Sequence, residues 1–155
     1  MKKIKLLLAD DEEAICDSLE FSLSSEGYSV DVATSGTNAL IAIINAHESG
    51  EPYDVIVTDC NMPGLTGAEL IRESGKFDPS LGFILISGSI PTNNMHDKAI
   101  VGNFESIQKP FRSRELLPII ERTAERTATI RTEMKKWHVI NSVIAQNRRI
   151  QEIIE

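Results

Sequence analysis

The chain has few of the features that mark membrane proteins and disulfide-bonded secreted proteins. Its apolar runs are all much shorter than the roughly 20 residues of a membrane-spanning helix, and two aspartates interrupt the apolar start at residues 6–9. The two cysteines, Cys16 and Cys60, are too few for a disulfide scaffold and too far apart for a zinc-knuckle spacing. These absences argue against a membrane span and an ordinary signal peptide, and a reducing, cytoplasmic compartment is the expectation.

Basic residues are also scarce in most of the chain. The 155 residues carry a net charge of −7; residues 1–111 contain 7 basic and 17 acidic side chains, and residues 112–155 contain 9 basic and 6 acidic ones. Nucleic-acid binding needs clustered basic side chains, and no recognition-helix motif is present, so direct DNA binding is not expected. We expect the basic side chains of the tail to keep its outer face solvated: Arg122, Arg126, Arg131, Lys135 and Lys136.

Five short apolar runs alternate with segments of helical character. The predicted strands are residues 4–9, 28–33, 55–58, 83–86 and 106–108, and the predicted helices between them are residues 12–26, 37–48, 68–77 and 93–101. Three of the runs show no polar alternation, which is typical of strands buried on both faces of a parallel sheet. The pattern predicts an α/β fold, with a doubly wound five-stranded parallel sheet and helices on both faces.

The tail has a different character, because residues 113–155 contain no glycine and a single proline. A helix that began at Ser113 and continued to Glu155 would be about 65 Å long, more than one small domain can cover. Eight of its residues recur at alternating steps of three and four, the spacing of a coiled-coil seam: Ile120, Thr123, Thr127, Ile130, Met134, Trp137, Asn141 and Ile144. In that seam Asn141 is a polar residue of the kind that fixes register.

We therefore expect two parts, a domain of residues 1–126 and a helical extension of residues 127–155. We favour a homodimer formed through the extension, because the seam is longer than the domain that could cover it. The alternative is that the helix packs back on its own domain.

Polar side chains stand where the predicted strands end. Asp10 and Asp11 follow the first strand, Asp59 the third, Ser87 the fourth and Lys109 the fifth. Because the carboxyl ends of parallel strands share one edge of the sheet, we expect these side chains in one cleft. Three clustered carboxylates repel one another, and Mg²⁺ fits them best because it takes a few carboxylates and keeps positions for water and phosphate oxygens. A carboxylate in such a site can accept a phosphoryl group.

These motifs, in this order, resemble the receiver domain of two-component response regulators. The resemblance covers residues 3 to about 126 and rests on four segments: Asp10-Asp11, Val57 to Gly67, Ile84 to Gly88, and Lys109-Pro110-Phe111. It implies a flavodoxin-like receiver fold with an extended C-terminal helix. It also implies a phosphorylation-controlled signalling switch and not an enzyme.

The resemblance gives each site residue a role. Asp59 would be the phosphoacceptor, Ser87 would bond the phosphoryl oxygens, and Lys109 would contact Asp59 or its phosphate. The implied Mg²⁺ ligands are Asp10, Asp11, Asp59 and the backbone carbonyl of Asn61. The phosphoryl donor would be a sensor histidine kinase or a phosphotransfer protein, and the bond between Lys109 and Pro110 would be cis.

One position departs from the receiver pattern. Receivers carry Tyr or Phe three residues before the lysine, where this chain has Ser106, and the nearest aromatic residue is Phe104. Phe104 either replaces the missing switch aromatic or is a core residue at the start of the fifth strand, and we favour the core role.

Three other interpretations compete with a phosphorylation switch. An aspartyl-nucleophile phosphatase shares the fold and Mg²⁺, but its second aspartate is replaced here by Asn61. A degenerate receiver that serves only as a dimerisation scaffold is disfavoured by the intact set of site residues. The third interpretation is that the tail links the receiver to an output domain outside this chain.

Overall fold

The computed structural model describes residues 2–88 and 102–154, and its core is one parallel sheet. The strands are β1 (Lys5–Ala9), β2 (Ser29–Ala33), β3 (Val55–Asp59), β4 (Gly82–Ser87) and β5 (Phe104–Gln108). The helices are α1 (Glu13–Ser25), α2 (Gly36–Glu48), α3 (Gly67–Gly75) and α4 (Ser113–Ile154). The strand order is β2-β1-β3-β4-β5, and every neighbouring pair is parallel. The predicted helix at residues 93–101 lies outside the described residues.

Both faces of the sheet are covered, which explains the uninterrupted apolar runs. In β1, Leu7 and Ala9 pack with α2 and α3 on one face, while Leu6 and Leu8 pack with α1 and α4 on the other. Each leucine buried in this way contributes about 2 kcal/mol to stability. The prediction of a doubly wound α/β sheet is therefore confirmed.

The boundaries of the elements follow from local sequence. α1 ends at Ser25, and Gly27 shortly after it takes a φ of 97°, the left-handed conformation that glycine adopts without strain. α3 begins with a capping box, in which Thr66 and Glu69 each accept a hydrogen bond from the other's backbone N–H. β5 begins at Phe104, two residues earlier than predicted.

α4 is a single helix of 42 residues, with Pro118 near its start. Its first part packs on the sheet so closely that a Cβ atom on Gly82 would lie 2.6 Å from Cγ2 of Thr123. Residues 132–154 are exposed along their whole length. Within the described part of the chain, neither α4 nor any other helix is long and apolar enough to cross a membrane.

The sheet and its helices themselves cover the first part of the predicted coiled-coil seam. Ile120, Thr123 and Thr127 are completely buried within the chain's own fold, so they are unavailable to a second copy. The alternative, that the helix packs back on its own domain, is confirmed for this first part of α4, whereas the homodimer through the part that extends beyond the sheet stays a prediction. The seam that stays accessible runs from Ile130 to Ile144.

The prediction of a solvated basic face is confirmed for the exposed side chains of Arg122, Arg126, Lys135 and Lys136 and is wrong for Arg131, which is partly buried. Arg122 and Arg126 form ion pairs with Glu105 on β5, and Arg131 pairs with Asp54 and with Asp78. These contacts fasten α4 to the receiver.

Candidate functional site

Three aspartates meet at the carboxyl edge of the sheet. Asp10 and Asp11 follow β1 and Asp59 ends β3, and one carboxylate oxygen from each of them lies within 4.8 Å of the others. Asp10 and Asp59 are buried, whereas Asp11 is exposed. The structure thus brings together the three carboxylates that the sequence predicted to meet.

Backbone hydrogen bonds orient the two buried carboxylates. Oδ1 of Asp10 accepts the Glu12 N–H at 2.9 Å, and Oδ1 of Asp59 accepts the Asn61 N–H at 3.2 Å. Each bond spans two residues, in the Asx-turn pattern that aspartate forms at the end of a strand. The second oxygen of each carboxylate is left for other interactions.

The second oxygen of Asp10 makes the site suitable for a cation. Oδ2 of Asp10 is buried without a hydrogen-bond partner among the residues that the structure describes. Burial, with the nearby charges of Asp59 and Asp11 as further causes, raises the pKa of Asp10 above its ordinary value. An unpartnered carboxylate oxygen beside two further carboxylates is the donor set that a hard cation such as Mg²⁺ prefers, so these residues fit that ion.

Lys109 supplies the positive charge of the site. Its Nζ atom donates a hydrogen bond to Oδ2 of Asp59 at 3.3 Å. Burial alone would lower the pKa of Lys109, but the charge of Asp59 and the hydrogen bond to it outweigh that effect, and the pKa is raised. Lys109 therefore stays protonated. The peptide bond between Lys109 and Pro110 is cis, as the resemblance implied.

Ser87 occupies the neighbouring strand end. Asp59 pairs with Ile86 in the register of β3 and β4, so Ser87 lies one residue beyond the partner of Asp59. Ser87 is buried, and its carbonyl accepts the Lys109 N–H at 2.7 Å. The structure thus places the predicted hydroxyl and ammonium residues next to each other at the edge that carries the aspartates.

The loop between β3 and α3, residues 60–66, carries Asn61 and rests on the start of α2. The Gly36 N–H donates to the carbonyl of Pro63 at 3.3 Å, and a Cβ atom on Gly36 would lie only 2.0 Å from the carbonyl oxygen of Leu65. A Cβ atom on Gly64 would likewise lie 2.5 Å from Oγ1 of Thr37. Sequence reasoning missed this support, whose signal was two glycines, Gly36 at the start of α2 and Gly64 in the loop.

Phe104 and Cys60 both pack against the core. Phe104 is half-buried and packs against the core on the α2 and α3 face, as the core interpretation predicted, and Ser106 is exposed. Cys60 also packs against that core, and burial raises the pKa of its thiol to about 11. At neutral pH this thiol is protonated, which suits a packing role and not a redox one.

Comparisons with known proteins agree with this arrangement. The chain is 37% identical over 134 residues to the "Uncharacterized transcriptional regulatory protein YkoG" of Bacillus subtilis, covering 83% of this chain and 54% of that protein. It is 31% identical over 121 residues to the "Sensor kinase CckA" of Brucella abortus, covering 78% of this chain but 12% of that protein. A solved response regulator receiver domain protein from Clostridium thermocellum matches with a TM-score of 0.71 and 30% identity, covering 81% of this chain and 98% of that one.

The fold and the acidic site together define a signalling module of the receiver class. Residues 6–121 match the family described as "Response regulator receiver domain", so most of the chain lies within the match. The chain belongs to the response regulator receiver family of two-component systems. It spans about half the length of the regulatory protein YkoG.

Proposed function

We propose that this chain is a phosphorylation-controlled switch in which Asp59 accepts a phosphoryl group from a sensor histidine kinase or a phosphotransfer protein. The observation that carries the proposal is the convergence of Asp10, Asp11 and Asp59 within 4.8 Å, with Lys109 hydrogen-bonded to Asp59. An acceptor carboxylate, two further carboxylates and an ammonium group are the parts that phosphoryl transfer to an aspartate requires.

Each residue of the site has a different role in the transfer. A carboxylate oxygen of Asp59 attacks the phosphorus atom; a new O–P bond forms as the bond from phosphorus to the donor atom breaks, and the donor leaves with that electron pair. Lys109 then pairs with the negative charge of the transferred group, and the Ser87 hydroxyl donates a hydrogen bond to it. Mg²⁺, held by Asp10, Asp11, Asp59 and the carbonyl of Asn61, would supply positive charge to the phosphoryl oxygens.

The experiment that tests this function is intact-mass measurement after incubation with acetyl phosphate and Mg²⁺. The parent should gain the mass of one phosphoryl group, and Asp59→Asn should gain nothing. Asp17→Asn is the matched control, since Asp17 is an exposed aspartate on α1 and should behave as the parent does. Equal gain in Asp59→Asn, or none in the parent, would refute the proposal.

We also propose that the signal leaves through α4. The division into a receiver of residues 1–126 and an extension of residues 127–155 stays a prediction, and the packing of α4 extends slightly further, to Arg131. Exposed large apolar side chains along residues 134–154 support a homodimer, and so does the heptad spacing from Ile130 to Ile144. A linker to an output domain would use the same exposed helix.

The competing functions have less support. Asn61 is exposed and lacks the ionisable group that a phosphatase would use as acid and base two residues after its nucleophile. A degenerate scaffold would not need the buried carboxylate oxygen of Asp10, which has no hydrogen-bond partner within residues 2–88 and 102–154 and whose burial costs stability. Both observations support the switch.

A further inference from the structure

Arg131 joins α4 to two segments of the receiver, residues 53–54 and 78–80, at the edge of the sheet opposite the aspartates. Its Nε donates to Oγ of Ser80 at 3.0 Å and its Nη1 to Oδ1 of Asp54 at 3.0 Å. Its Nη2 donates to the carbonyl of Tyr53 at 2.7 Å and to Oδ2 of Asp78 at 3.4 Å. We call these five residues the Arg131 clamp.

The groups that accept these hydrogen bonds are themselves fixed by the sheet. Oδ2 of Asp54 accepts the Lys5 N–H at 2.8 Å, and the Asp54 N–H donates to the Lys5 carbonyl at 2.8 Å. The carbonyl of Asp54 accepts the Gly82 N–H at 3.3 Å, so this residue is tied to both β1 and β4. Oδ1 of Asp78 accepts the Ser80 N–H at 3.1 Å. The helix is therefore held against a rigid part of the fold.

Arginine is the side chain that this arrangement requires. Its guanidinium group is a planar fork of donors, whereas the ammonium group of lysine is a point charge without fixed directions. The side chain of Asp78 is 8% exposed and that of Arg131 is 23% exposed, so solvent screens these ion pairs less than it screens pairs on an open surface.

The position of Arg131 along α4 determines which part of the helix the clamp can orient. It is the last partly buried residue of the helix, and residues 132–154 after it are exposed. That segment extends about 35 Å beyond Arg131 at 1.5 Å per residue. A tilt of about 10° at the clamp would thus move the end of the helix by about 6 Å.

We propose that Arg131 is a positioning residue that sets the direction in which residues 132–154 leave the receiver. Whatever those residues contact, a second copy or an output domain, then meets the receiver at a defined angle. The inference does not depend on phosphorylation of Asp59, because the clamp lies at the opposite edge of the sheet. The inference about Arg131 would therefore still hold if the proposed phosphoryl transfer failed its test.

Pulsed electron spin resonance between two nitroxide labels tests the clamp. The labels are placed on Glu20→Cys in α1 and Gln146→Cys in the exposed part of α4, in a Cys60→Ser background that keeps the buried Cys16. An excess of unlabelled chain removes distances between copies. The parent should give one narrow distance distribution, and Arg131→Lys and Arg131→Gln should give a wider distribution or one with a shifted mean.

Two matched variants distinguish the loss of the clamp from the loss of any arginine or any ion pair on α4. Arg149→Gln removes an exposed arginine from the same helix, and Arg122→Gln removes a different ion pair between α4 and the receiver. Both should give the distribution of the parent. An unchanged distribution in Arg131→Gln, or equal widening in Arg122→Gln, would overturn the proposal.

A further variant covers the case in which Arg131→Gln does not fold. Asp78→Asn keeps the oxygen that accepts the Ser80 N–H and removes the charge opposite Arg131. It should melt cooperatively and still widen the distribution, by less than Arg131→Lys. A cooperative melt with a distribution identical to that of the parent would overturn the proposal.

Discussion

Nζ of Lys109 lies 3.3 Å from Oδ2 of Asp59, and this contact joins two residues that are 50 positions apart in the sequence. It connects the end of β3 to the loop after β5, from which α4 begins. A phosphoryl group added to Asp59 would change the charge and the shape of the group that Lys109 contacts. The ion pair is therefore a contact through which such a change at Asp59 would reach the helix.

Replacing Asp10 should stabilise the protein without metal and abolish its response to Mg²⁺. Asp10→Asn keeps an oxygen for the Glu12 N–H and removes a buried charge whose pKa is raised by burial. We expect the free energy of unfolding at neutral pH in EDTA to rise by about 1 kcal/mol, because a carboxylate whose charged form is disfavoured by burial and by two neighbouring carboxylates is lost. Thermal unfolding with and without Mg²⁺ measures both effects.

Asp17→Asn again serves as the control for Asp10, and its Mg²⁺-dependent rise in melting temperature should equal that of the parent. A rise of the same size in Asp10→Asn would contradict the assignment of Asp10 as a ligand.

Gly36→Ala should weaken Mg²⁺ binding from a position outside the site. The added methyl group would meet the carbonyl oxygen of Leu65, so the loop that carries Asn61 must move. We expect a loss of about 1–3 kcal/mol of stability, as for other overpacked positions, and a larger dissociation constant for Mg²⁺ by calorimetry. Gly75→Ala is the matched control, because a Cβ atom there would meet nothing within 4 Å in the described part of the chain beyond its own neighbours and helix backbone. An unchanged Mg²⁺ affinity in Gly36→Ala would refute the supporting role of α2.

The contact between Glu105 and α4 should make stability depend on pH. Hydrogen bonds from Arg122 and Arg126 lower the pKa of Glu105. Because the pKa of Glu105 is lower in the folded state, its carboxylate stabilises the fold at pH values above the ordinary pKa of glutamate. That stabilisation is lost as the pH falls through the pKa of Glu105 in the folded state. Glu105→Gln should thus be less stable than the parent by about 0.5–1 kcal/mol near pH 7, since these side chains are partly exposed.

Denaturant unfolding at several pH values measures this difference, which should shrink toward zero on acidification. Glu133→Gln, which removes a solvent-exposed pair with Lys136, is the control and should differ little from the parent at any pH. A Glu105→Gln deficit that stays constant down to acid pH would show that the carboxylate charge is not its cause.

The exposed seam of α4 should hold two copies together. Trp137 is 62% exposed and Ile144 is 49% exposed, so replacing both by Glu should leave the receiver folded and prevent self-association. Sedimentation equilibrium should give a dimer for the parent and a monomer for the double variant. Gln146→Glu, outside the heptad spacing, should remain dimeric. A parent that stays monomeric at high concentration would refute the dimer.

The sequence was most informative where a pattern is local. β1, β3 and β4 showed as short apolar runs because both of their faces are covered, and the aspartates of the site could be located because they lie at the ends of two of those runs. The contacts of Arg131 could not be predicted, since it and Asp54 are 77 residues apart and ion pairs leave no periodic signal. The extent of the free seam was also hidden, because Thr123 and Thr127 fit the spacing of a coiled coil and that of a helix packed on its own sheet equally well.

The central claim is that Asp59 forms an acyl phosphate, and borohydride reduction tests it most directly. The protein is incubated with acetyl phosphate and Mg²⁺ and then treated with sodium borohydride, which converts an acyl phosphate of aspartate to homoserine with release of phosphate. Peptide mapping should find homoserine at position 59 and unmodified aspartate at positions 10 and 11. Homoserine at position 10 or 11, or at none of the three, would contradict the assignment.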